Sequence, residues 1–300
     1  TWTLIVMYMV MAQSWNFIGG FTGYSAFGNV AFFGIGAYVT GLMLQGNQPF
    51  WLGLLVGGLV AGIFAFLVGL PVLRLKGHYF AIATLGTAEA LRELVTVRDV
   101  GGAGGLMSLP LPSLSAYTGF FYAFLGLALA CLLITVWLTR SRFGYALVAI
   151  RESEQAAEAL GIATHRYKVA AFVLSAIPTA IAGGLYAYWA IGFDPPTVFD
   201  VGISVEMVLL TILGGTGTIL GPILGAIVFE FASFQIQASG ISLHNTLLGL
   251  SIALVTIFLP QGVLRLLQEF ARKPAEGSGR ANSIMEGVRR VRRFIAANGI

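Results

Sequence analysis

Long stretches without any charged side chain dominate the pattern of hydrophobic and polar positions along this chain. No Lys, Arg, Asp or Glu precedes Arg74, and none occurs in 100–139, 169–193, 207–229 or 231–264. Each of these stretches is at least as long as the roughly 20 residues that a helix needs to cross a bilayer. Only 10% of all residues are charged, against roughly 25% in a soluble domain. The chain is therefore predicted to be a membrane protein.

The fold predicted from this pattern is an all-α polytopic transmembrane bundle with about eight or nine spans and discontinuous helices. The 39 glycines favour close helix packing and broken helices over a β-barrel, whose strands would alternate polar and apolar residues over short segments. Thr1 in place of Met indicates a trimmed start. Apolar runs bounded by turn residues or charges place the spans at about 1–18, 30–46, 50–73, 78–96, 117–139, 168–190, 203–213 with 219–239, and 245–264.

Basic residues between the spans predict the orientation of the chain, because cytoplasmic loops are enriched in Lys and Arg. The connections 45–49, 192–200 and 237–245 contain neither residue and are expected to face outward. The predicted organisation is a transmembrane domain over 1–268, with a long basic cytoplasmic loop at 140–168, and a basic cytoplasmic tail over 269–300. The protein is expected in the plasma membrane as a multi-pass chain with its C-terminus in the cytoplasm.

The basic tail carries seven basic and two acidic side chains between Arg272 and Ile300, a net charge of +5. Apolar residues recur there at helical spacing opposite a face of arginines, which is typical of a helix lying on anionic lipid. A solvated tail after the flexible stretch KPAEGSG is the alternative. Membrane lipids are thus expected partners.

The polar stretch RESEQAAEALGI, at 151–162, lies inside the long basic loop. Ser153 is placed to cap a helix, Glu154 falls in its positively polarised first turn, and Gly161 is placed to end it. Such a helix has about two turns and is too short to be stable alone. It is either a solvated connection or a segment that docks on a partner.

The stretch QAAEALG resembles the EAA loop of ABC-importer permeases, which forms the coupling helix that docks into the ATPase subunit. Gln155 stands where that motif has Glu, Ala156, Ala157 and Gly161 match it, and its later Ile-x-Leu-Pro is absent. The flanks GYALVAIRESEQAAEALGI and ILGGTGTILGPILGA, with GHYFAIATLGTAEALREL, resemble permeases of branched-chain amino acid importers of the LivH/LivM family, LivM-like half. The resemblance covers most of 16–265.

This resemblance implies a non-catalytic permease subunit of an ATP-driven importer for branched-chain or other hydrophobic amino acids. It implies a second permease subunit, two ATP-binding subunits and an extracytoplasmic solute-binding protein as partners, with ATP and Mg²⁺ on the ATPase subunits and no cofactor on this chain. Urea, short amides or another small solute are alternative cargoes. The residues implied for ATPase coupling are Arg151, Glu152, Glu154, Gln155, Ala156, Ala157 and Gly161.

Catalytic motifs are missing from the sequence, which makes an intramembrane enzyme the less favoured function. There is no GxxxxGK[ST] loop to cradle phosphates, no HExxH and no GxSxG, and the three histidines lack ligand spacing. No metal site is predicted, Cys131 is expected to be a core residue, and nucleic acid is not an expected partner.

Two glycine-rich stretches, GGFTG at 19–23 and GGTGT at 214–218, interrupt apolar runs. A broken helix at membrane depth exposes backbone amides and carbonyls that could meet the charged ends of a zwitterionic solute. Glu89 is a further candidate for the pathway, although Arg92 lies three residues later on the same helical face and could simply neutralise it. The predicted pathway residues are Gly19, Gly20, Thr22, Ser25, Glu89, Gly214, Gly215 and Thr216.

Overall fold

The computed structural model of the protein describes residues 2–100, 105–106 and 116–238, and these residues are almost entirely helical. The predicted span at 245–264 and the basic tail over 269–300 lie outside the described residues. The helices are α1 Trp2–Thr22, α2 Asn29–Gln45, α3 Phe50–Val72, α4 His78–Val97, α5 Ala116–Arg140, α6 Arg142–Glu152, α7 Glu154–Ala159, α8 Thr164–Ala190, α9 Pro195–Val198, α10 Val201–Gly214 and α11 Gly221–Ala238.

The helices fall where the apolar runs predict them, within a few residues at each end. Five described stretches are long and apolar enough to cross a membrane, and α2 and α11 contain shorter apolar helices. The break expected at GGFTG lies later than its paired glycines, because α1 continues through Gly19 and Gly20 to Thr22. Both glycines are buried inside that helix, and a side chain at Gly19 would collide with the ring of Trp15. The two glycines therefore permit close packing, and the helix ends just before Gly23.

The centre of the bundle is formed by α2, α3 and α8, which pack closely through small residues. A methyl group at Gly36 of α2 would collide with the carbonyl oxygen of Ala180 in α8, and one at Gly183 of α8 with that of Phe33 in α2. The buried amide of Asn29 donates a hydrogen bond to Ser175 Oγ over 2.7 Å. The backbones of α2 and α8 are therefore in direct contact, as small residues permit between membrane helices.

Replacing Gly36 with alanine is expected to destabilise the protein, because the added methyl group has no space beside the backbone of α8. Overpacking a well-packed core costs about 1–3 kcal/mol. The matched control is Gly126→Ala in α5, where an added methyl group meets nothing within 4 Å. Thermal unfolding in detergent should give a clearly lower midpoint for Gly36→Ala than for Gly126→Ala. Equal midpoints would show that α2 and α8 separate easily.

A second group of helices, α1, α10 and α11, packs against this centre and contains acidic residues that the sequence places in spans. Thr211 of α10 donates a hydrogen bond to the backbone oxygen of Ala12 over 2.9 Å. The carboxyl of Glu206 in α10 is buried and hydrogen bonded to Glu230 of α11 and Tyr8 of α1. Glu206 therefore faces the bundle interior, as ionisable residues in membrane helices generally do.

Candidate functional site

Basic residues from several segments of the described chain lie at one end of the bundle, which we call the basic end. Arg74 and Lys76 lie after α3, Arg151 is near the end of α6, and Lys168 is in the first turns of α8. The connection from α1 to α2 and the turn between α10 and α11 reach the same place. The long loop predicted at 140–168 is thus a structured part of the bundle.

The loop consists mainly of two short helices, α6 and α7, separated by a single residue. The hydroxyl of Ser141 accepts a hydrogen bond from the Gly144 amide and caps α6. Ser153 ends α6 and, through its own hydroxyl, caps α7 by accepting from the amide of Ala156 over 3.3 Å. After α7 the backbone takes a positive φ of 82° at Gly161, which favours glycine. The helix predicted here, with its cap and its end, is confirmed.

A buried lysine joins α7 to the rest of the bundle. The Lys168 ammonium, almost completely buried, donates hydrogen bonds to Glu154 Oε1 over 2.6 Å, to the Tyr24 hydroxyl over 3.0 Å and to the backbone oxygen of Leu73 over 3.1 Å. The Tyr24 hydroxyl in turn donates to Glu154 Oε2 over 2.6 Å. Lys76 lies 4.0 Å from the same carboxylate. We call Tyr24, Leu73, Glu154 and Lys168 the Lys168 junction.

The Lys168 junction links four parts of the chain through charge-assisted hydrogen bonds, which are stronger than neutral ones. Burial alone would raise the pKa of Glu154, but the hydrogen bonds from Lys168 and Tyr24 and the nearby positive charges outweigh it and leave the pKa below its usual value. Burial, followed by the hydrogen bond to Glu154, raises the pKa of Tyr24 well above its usual value. Glu154 is therefore a carboxylate and Tyr24 a neutral donor near pH 7.

Arg151 connects α6 to the two glycine-rich stretches. Its guanidinium donates to the backbone oxygen of Gly20 over 3.1 Å and to Glu152 Oε1 over 3.1 Å. Gly20 also lies directly against the backbone of Gly217, where a methyl group on Gly20 would come within 2.6 Å of the Gly217 nitrogen. The end of α1, the turn after α10 and the end of α6 therefore meet at this point.

The turn between α10 and α11 is held by amide side chains of α1, chiefly that of Asn16. Asn16 Nδ2 donates to the backbone oxygen of Thr218 over 3.1 Å, and Asn16 Oδ1 accepts from the Gly217 amide over 2.8 Å. One turn earlier in α1, Gln13 donates to the backbone oxygen of Ile219 over 2.9 Å. Polar backbone groups between the two helices, which have no partner within a helix, are thus paired by α1.

The outward side of α7 presents mainly small and uncharged side chains to the solvent, together with the charged side chain of Glu158. Gln155, Ala156 and Ala159 are exposed, and Leu160, which follows the helix, is 81% exposed. Ala157, in contrast, is buried against the bundle. The residues predicted for coupling therefore separate into an outward group with Gln155 and Ala156, and a group in contact with the bundle that contains Arg151, Glu154 and Ala157.

The predicted pathway residues other than Glu89 lie at the basic end, in the two glycine-rich stretches or, for Ser25, just after the first of them. Gly19 and Gly20 are in α1, the hydroxyl of Thr22 donates to the Ile18 oxygen, and Ser25 is exposed beyond the helix. Gly214 ends α10, Gly215 follows it with a φ of 122°, and Thr216 is exposed.

Glu89 lies apart from these stretches, on the flank of α4. Its carboxylate pairs with the Arg92 guanidinium, and the two side chains are 42% and 31% exposed. The alternative interpretation of Glu89 as one half of a neutralised pair agrees with this geometry. Within 2–100, 105–106 and 116–238, no three His, Cys, Asp or Glu side chains are arranged to hold a metal ion.

Three residues of this site are missed by prediction from motifs, namely Lys168, Tyr24 and Asn16. Lys168 has a visible signal, since it is the last charged residue before an uncharged stretch that extends to 193. A charge at the start of an apolar helix can equally well face the lipid headgroups. Its burial depends on the folding back of α7, which the sequence does not show directly.

Comparison with known proteins identifies the family of this chain. Residues 1–258 match the family described as "Branched-chain amino acid transport system / permease component". The chain is 33% identical over 293 residues to the high-affinity branched-chain amino acid transport system permease protein LivM of Escherichia coli (strain K12), covering 87% of this chain and 68% of that protein.

Two further relatives extend the comparison. The probable branched-chain amino acid transport permease protein LivM of Methanocaldococcus jannaschii is 25% identical over 305 residues, covering 87% of each chain. The autoinducer 2 import system permease protein LsrC of Yersinia pseudotuberculosis is 32% identical over 182 residues, covering 57% of this chain and 50% of that protein. The chain belongs to the family of branched-chain amino acid transport permeases, whose members are non-catalytic transport subunits.

Proposed function

We propose that this permease subunit receives the movement of a separate ATPase at α7 and passes it to the membrane helices through the Lys168 junction. The observation that carries the proposal is the two-sided character of α7. Its outward side, with Gln155, Ala156 and Leu160, is exposed and largely uncharged, with Glu158 at its edge, which suits close contact with a partner. Its inward side is connected to the ends of α1, α3 and α8 by buried polar contacts.

The partners proposed for this subunit are two ATP-binding subunits, a second permease subunit and an extracytoplasmic solute-binding protein. ATP and Mg²⁺ would bind the ATPase subunits, and this chain would contribute no catalytic group to hydrolysis. The ATP-bound and nucleotide-free states would bind the outward side of α7 in different positions, and such differential binding shifts the permease between its conformations.

The basic end is proposed to face the cytoplasm. It contains Arg74, Lys76, Arg151 and Lys168, in agreement with the enrichment of Lys and Arg in cytoplasmic loops. The described spans, the shorter helices and the stretch at 245–264 would together give about eight or nine membrane segments in the inner membrane, with the C-terminus in the cytoplasm. The break between α10 and α11 would then lie near the cytoplasmic surface.

Branched-chain and other hydrophobic amino acids are the proposed substrates. A permease similar to this chain belongs by name to an import system for a different solute, autoinducer 2, so urea and short amides are the alternatives to be screened. The glycine-rich stretches around Gly20 and Gly215 are the proposed part of the pathway. They would form its cytoplasmic exit, where backbone groups can meet a polar solute. Glu89 is assigned a lesser part, because Arg92 neutralises it.

Replacing Leu160 with aspartate is expected to weaken the attachment of the ATPase subunits without unfolding the permease. The side chain is 81% exposed, so few internal contacts are lost, whereas an unpaired charge left in a buried interface costs about 2–5 kcal/mol. Leu160 is a cleaner probe than Gly161, where any side chain strains a backbone with φ of 82°. The amount of ATPase subunit that copurifies with the tagged permease is the measurement.

The matched control is Val97→Asp, an equivalent change at a residue that is 78% exposed at the end of α4. We expect ATPase retention to fall at least about tenfold for Leu160→Asp, as a 1.4 kcal/mol change already implies, and to be unaltered for Val97→Asp. Normal retention and normal leucine uptake in Leu160→Asp would reject the docking role of α7.

A further inference from the structure

An apolar groove runs along the outside of the bundle between α3 and α8. Its volume is about 600 Å³. Phe66 and Leu70 of α3 form one wall, and Val169, Val173 and Ile177 of α8 form the other. These side chains offer no hydrogen-bonding group, so the groove suits a flexible hydrocarbon and not a polar solute.

The length of the groove corresponds to one leaflet of a bilayer. From Arg166 to Ile177, α8 rises by about 16 Å at 1.5 Å per residue. Half of a typical hydrocarbon core is about 15 Å thick. The groove begins at the start of α8, at the basic end, and runs along a helix that is long and apolar enough to cross the membrane. An acyl chain of the lipid leaflet at the basic end would therefore match it in direction and length.

The mouth of the groove is cationic. His165 and Arg166 line it, Arg166 is exposed, and Arg74 is close enough to interact electrostatically with His165. Two acidic residues lie near this region. One is Glu154, whose carboxylate is bound by Lys168 and Tyr24. The other is Glu158, which accepts a hydrogen bond from the Thr164 hydroxyl and offsets only one of the two arginines. The mouth thus retains positive charge toward the membrane surface, and basic pockets between helices on this side of a membrane attract anionic headgroups.

We propose that this groove is a binding site for an anionic phospholipid of the leaflet at the basic end. One acyl chain lies between α3 and α8, and the phosphate is held by Arg166 and His165. The occupant is a lipid and not a protein segment because the apolar lining ends in positive charge about one leaflet from its inner end. The groove shares no lining residue with the outward side of α7.

Occupancy of this site would connect lipid composition to the coupling segment. Arg166 is two residues before Lys168 in the same helix, so a phosphate at the mouth adjoins the first turns of α8 that carry the Lys168 junction. A bound lipid would order these turns without contacting the transported solute.

The experiment uses the purified protein with the subunits that remain bound, placed in nanodiscs of phosphatidylcholine containing a minor fraction of phosphatidylglycerol. Bound lipid is counted by native mass spectrometry after release. Two variants test the two parts of the site: Arg166→Glu reverses the charge at the mouth, and Ala170→Trp fills the groove at an exposed position that lines it. The matched controls are Arg142→Glu in α6 and Ala130→Trp on the exposed side of α5.

The wild-type protein is expected to retain phosphatidylglycerol in preference to phosphatidylcholine. Arg166→Glu should lower that retention by at least about fivefold, the effect of one basic residue near an anionic surface. Ala170→Trp should also lower it, because the indole fills the space of the acyl chain, and the controls should leave it unchanged. Equal retention of both lipids by the wild type would overturn the proposal. So would loss in Arg166→Glu alone, which would indicate a headgroup bound without its chain. If Ala170→Trp instead removes a second permease subunit and leaves the lipid, the groove is a protein interface.

Discussion

Replacing Lys168 with methionine is expected to reduce ATP-driven uptake by at least about tenfold while the chain still reaches the membrane. The change removes the ammonium that joins Glu154, Tyr24 and the end of α3. Breaking one partner of a buried ion pair costs roughly 3–5 kcal/mol. We expect about 3 kcal/mol, at the lower end of that range, because Glu154 is partly exposed.

The loss of this free energy weakens the attachment of α7 to the bundle more than it weakens the packing of the membrane helices. The packing of α2 against α8 depends on glycines and not on Lys168, whereas α7 is joined to the bundle through the hydrogen bonds of Glu154. A loss of about 3 kcal/mol shifts the population of the attached α7 by on the order of a hundredfold. ATP hydrolysis should then continue with little uptake, since the ATPase can move α7 without moving α8.

The control for this prediction is Lys76→Met, which removes a second lysine facing the same carboxylate. Lys76 is 60% exposed and lies 4.0 Å from Glu154, and exposed pairs contribute about 0–1 kcal/mol. Uptake of labelled leucine and ATP hydrolysis are measured together in proteoliposomes. If Lys168→Met keeps the same ratio of uptake to hydrolysis as Lys76→Met, the Lys168 junction has no part in coupling.

A second large effect is expected from Asn16→Leu in α1. The substitution keeps a similar volume but leaves the Gly217 amide and the Thr218 oxygen without their partner. Each buried polar group left unsatisfied costs about 1–3 kcal/mol. The turn between α10 and α11 should therefore loosen, and we expect a marked fall in thermal stability together with loss of uptake.

Gln13→Leu provides the matched control, because Gln13 lies one turn earlier and makes a single bond to the same connection, to Ile219. Among the described residues, its Oε1 has no hydrogen-bond partner, so leucine removes one unsatisfied buried atom while it leaves another without its donor. Gln13→Leu should lower the unfolding midpoint in detergent by less than half as much as Asn16→Leu. Equal midpoints for the two variants would contradict the assignment of Asn16 as the residue that holds the turn.

The membrane helices could be predicted from the sequence because their signal is local. An uncharged run of sufficient length is enough to place a span, and α3, α5 and α8 lie within a few residues of their predicted bounds. The position at which α1 ends is harder to predict, because paired glycines are typical both of a helix break and of close packing. Gly19 and Gly20 are small because Trp15 and Gly217 occupy the space beside them. Trp15 lies one turn earlier in the same helix, but Gly217 is far away in sequence and cannot be identified from a local pattern.

The helix α7 could be predicted for the same reason, since Ser153 and Gly161 act within their own turns. The orientation of that helix could not. The family resemblance implies that Glu154 helps to bind a partner, yet its carboxylate points inward to Lys168, fourteen residues later, and to Tyr24, which is far away in sequence. Which side of a short helix faces its own protein depends on tertiary contacts, and the six residues of α7 are too few to show a periodic pattern.

The direct backbone contact between α2 and α8 has a mechanical consequence. Where Gly36 meets Ala180 and Gly183 meets Phe33, there is no side chain whose rotation could absorb a displacement, so the two helices cannot slide past each other by changing rotamers. A displacement of the start of α8 would therefore move α2 and α8 together as a rigid pair, and the ends of these helices at the opposite membrane surface would move as well. Under the proposed function, the permease would respond to an ATPase by tilting whole helices as rigid bodies. The flexible side chains at its periphery would adjust to the lipid.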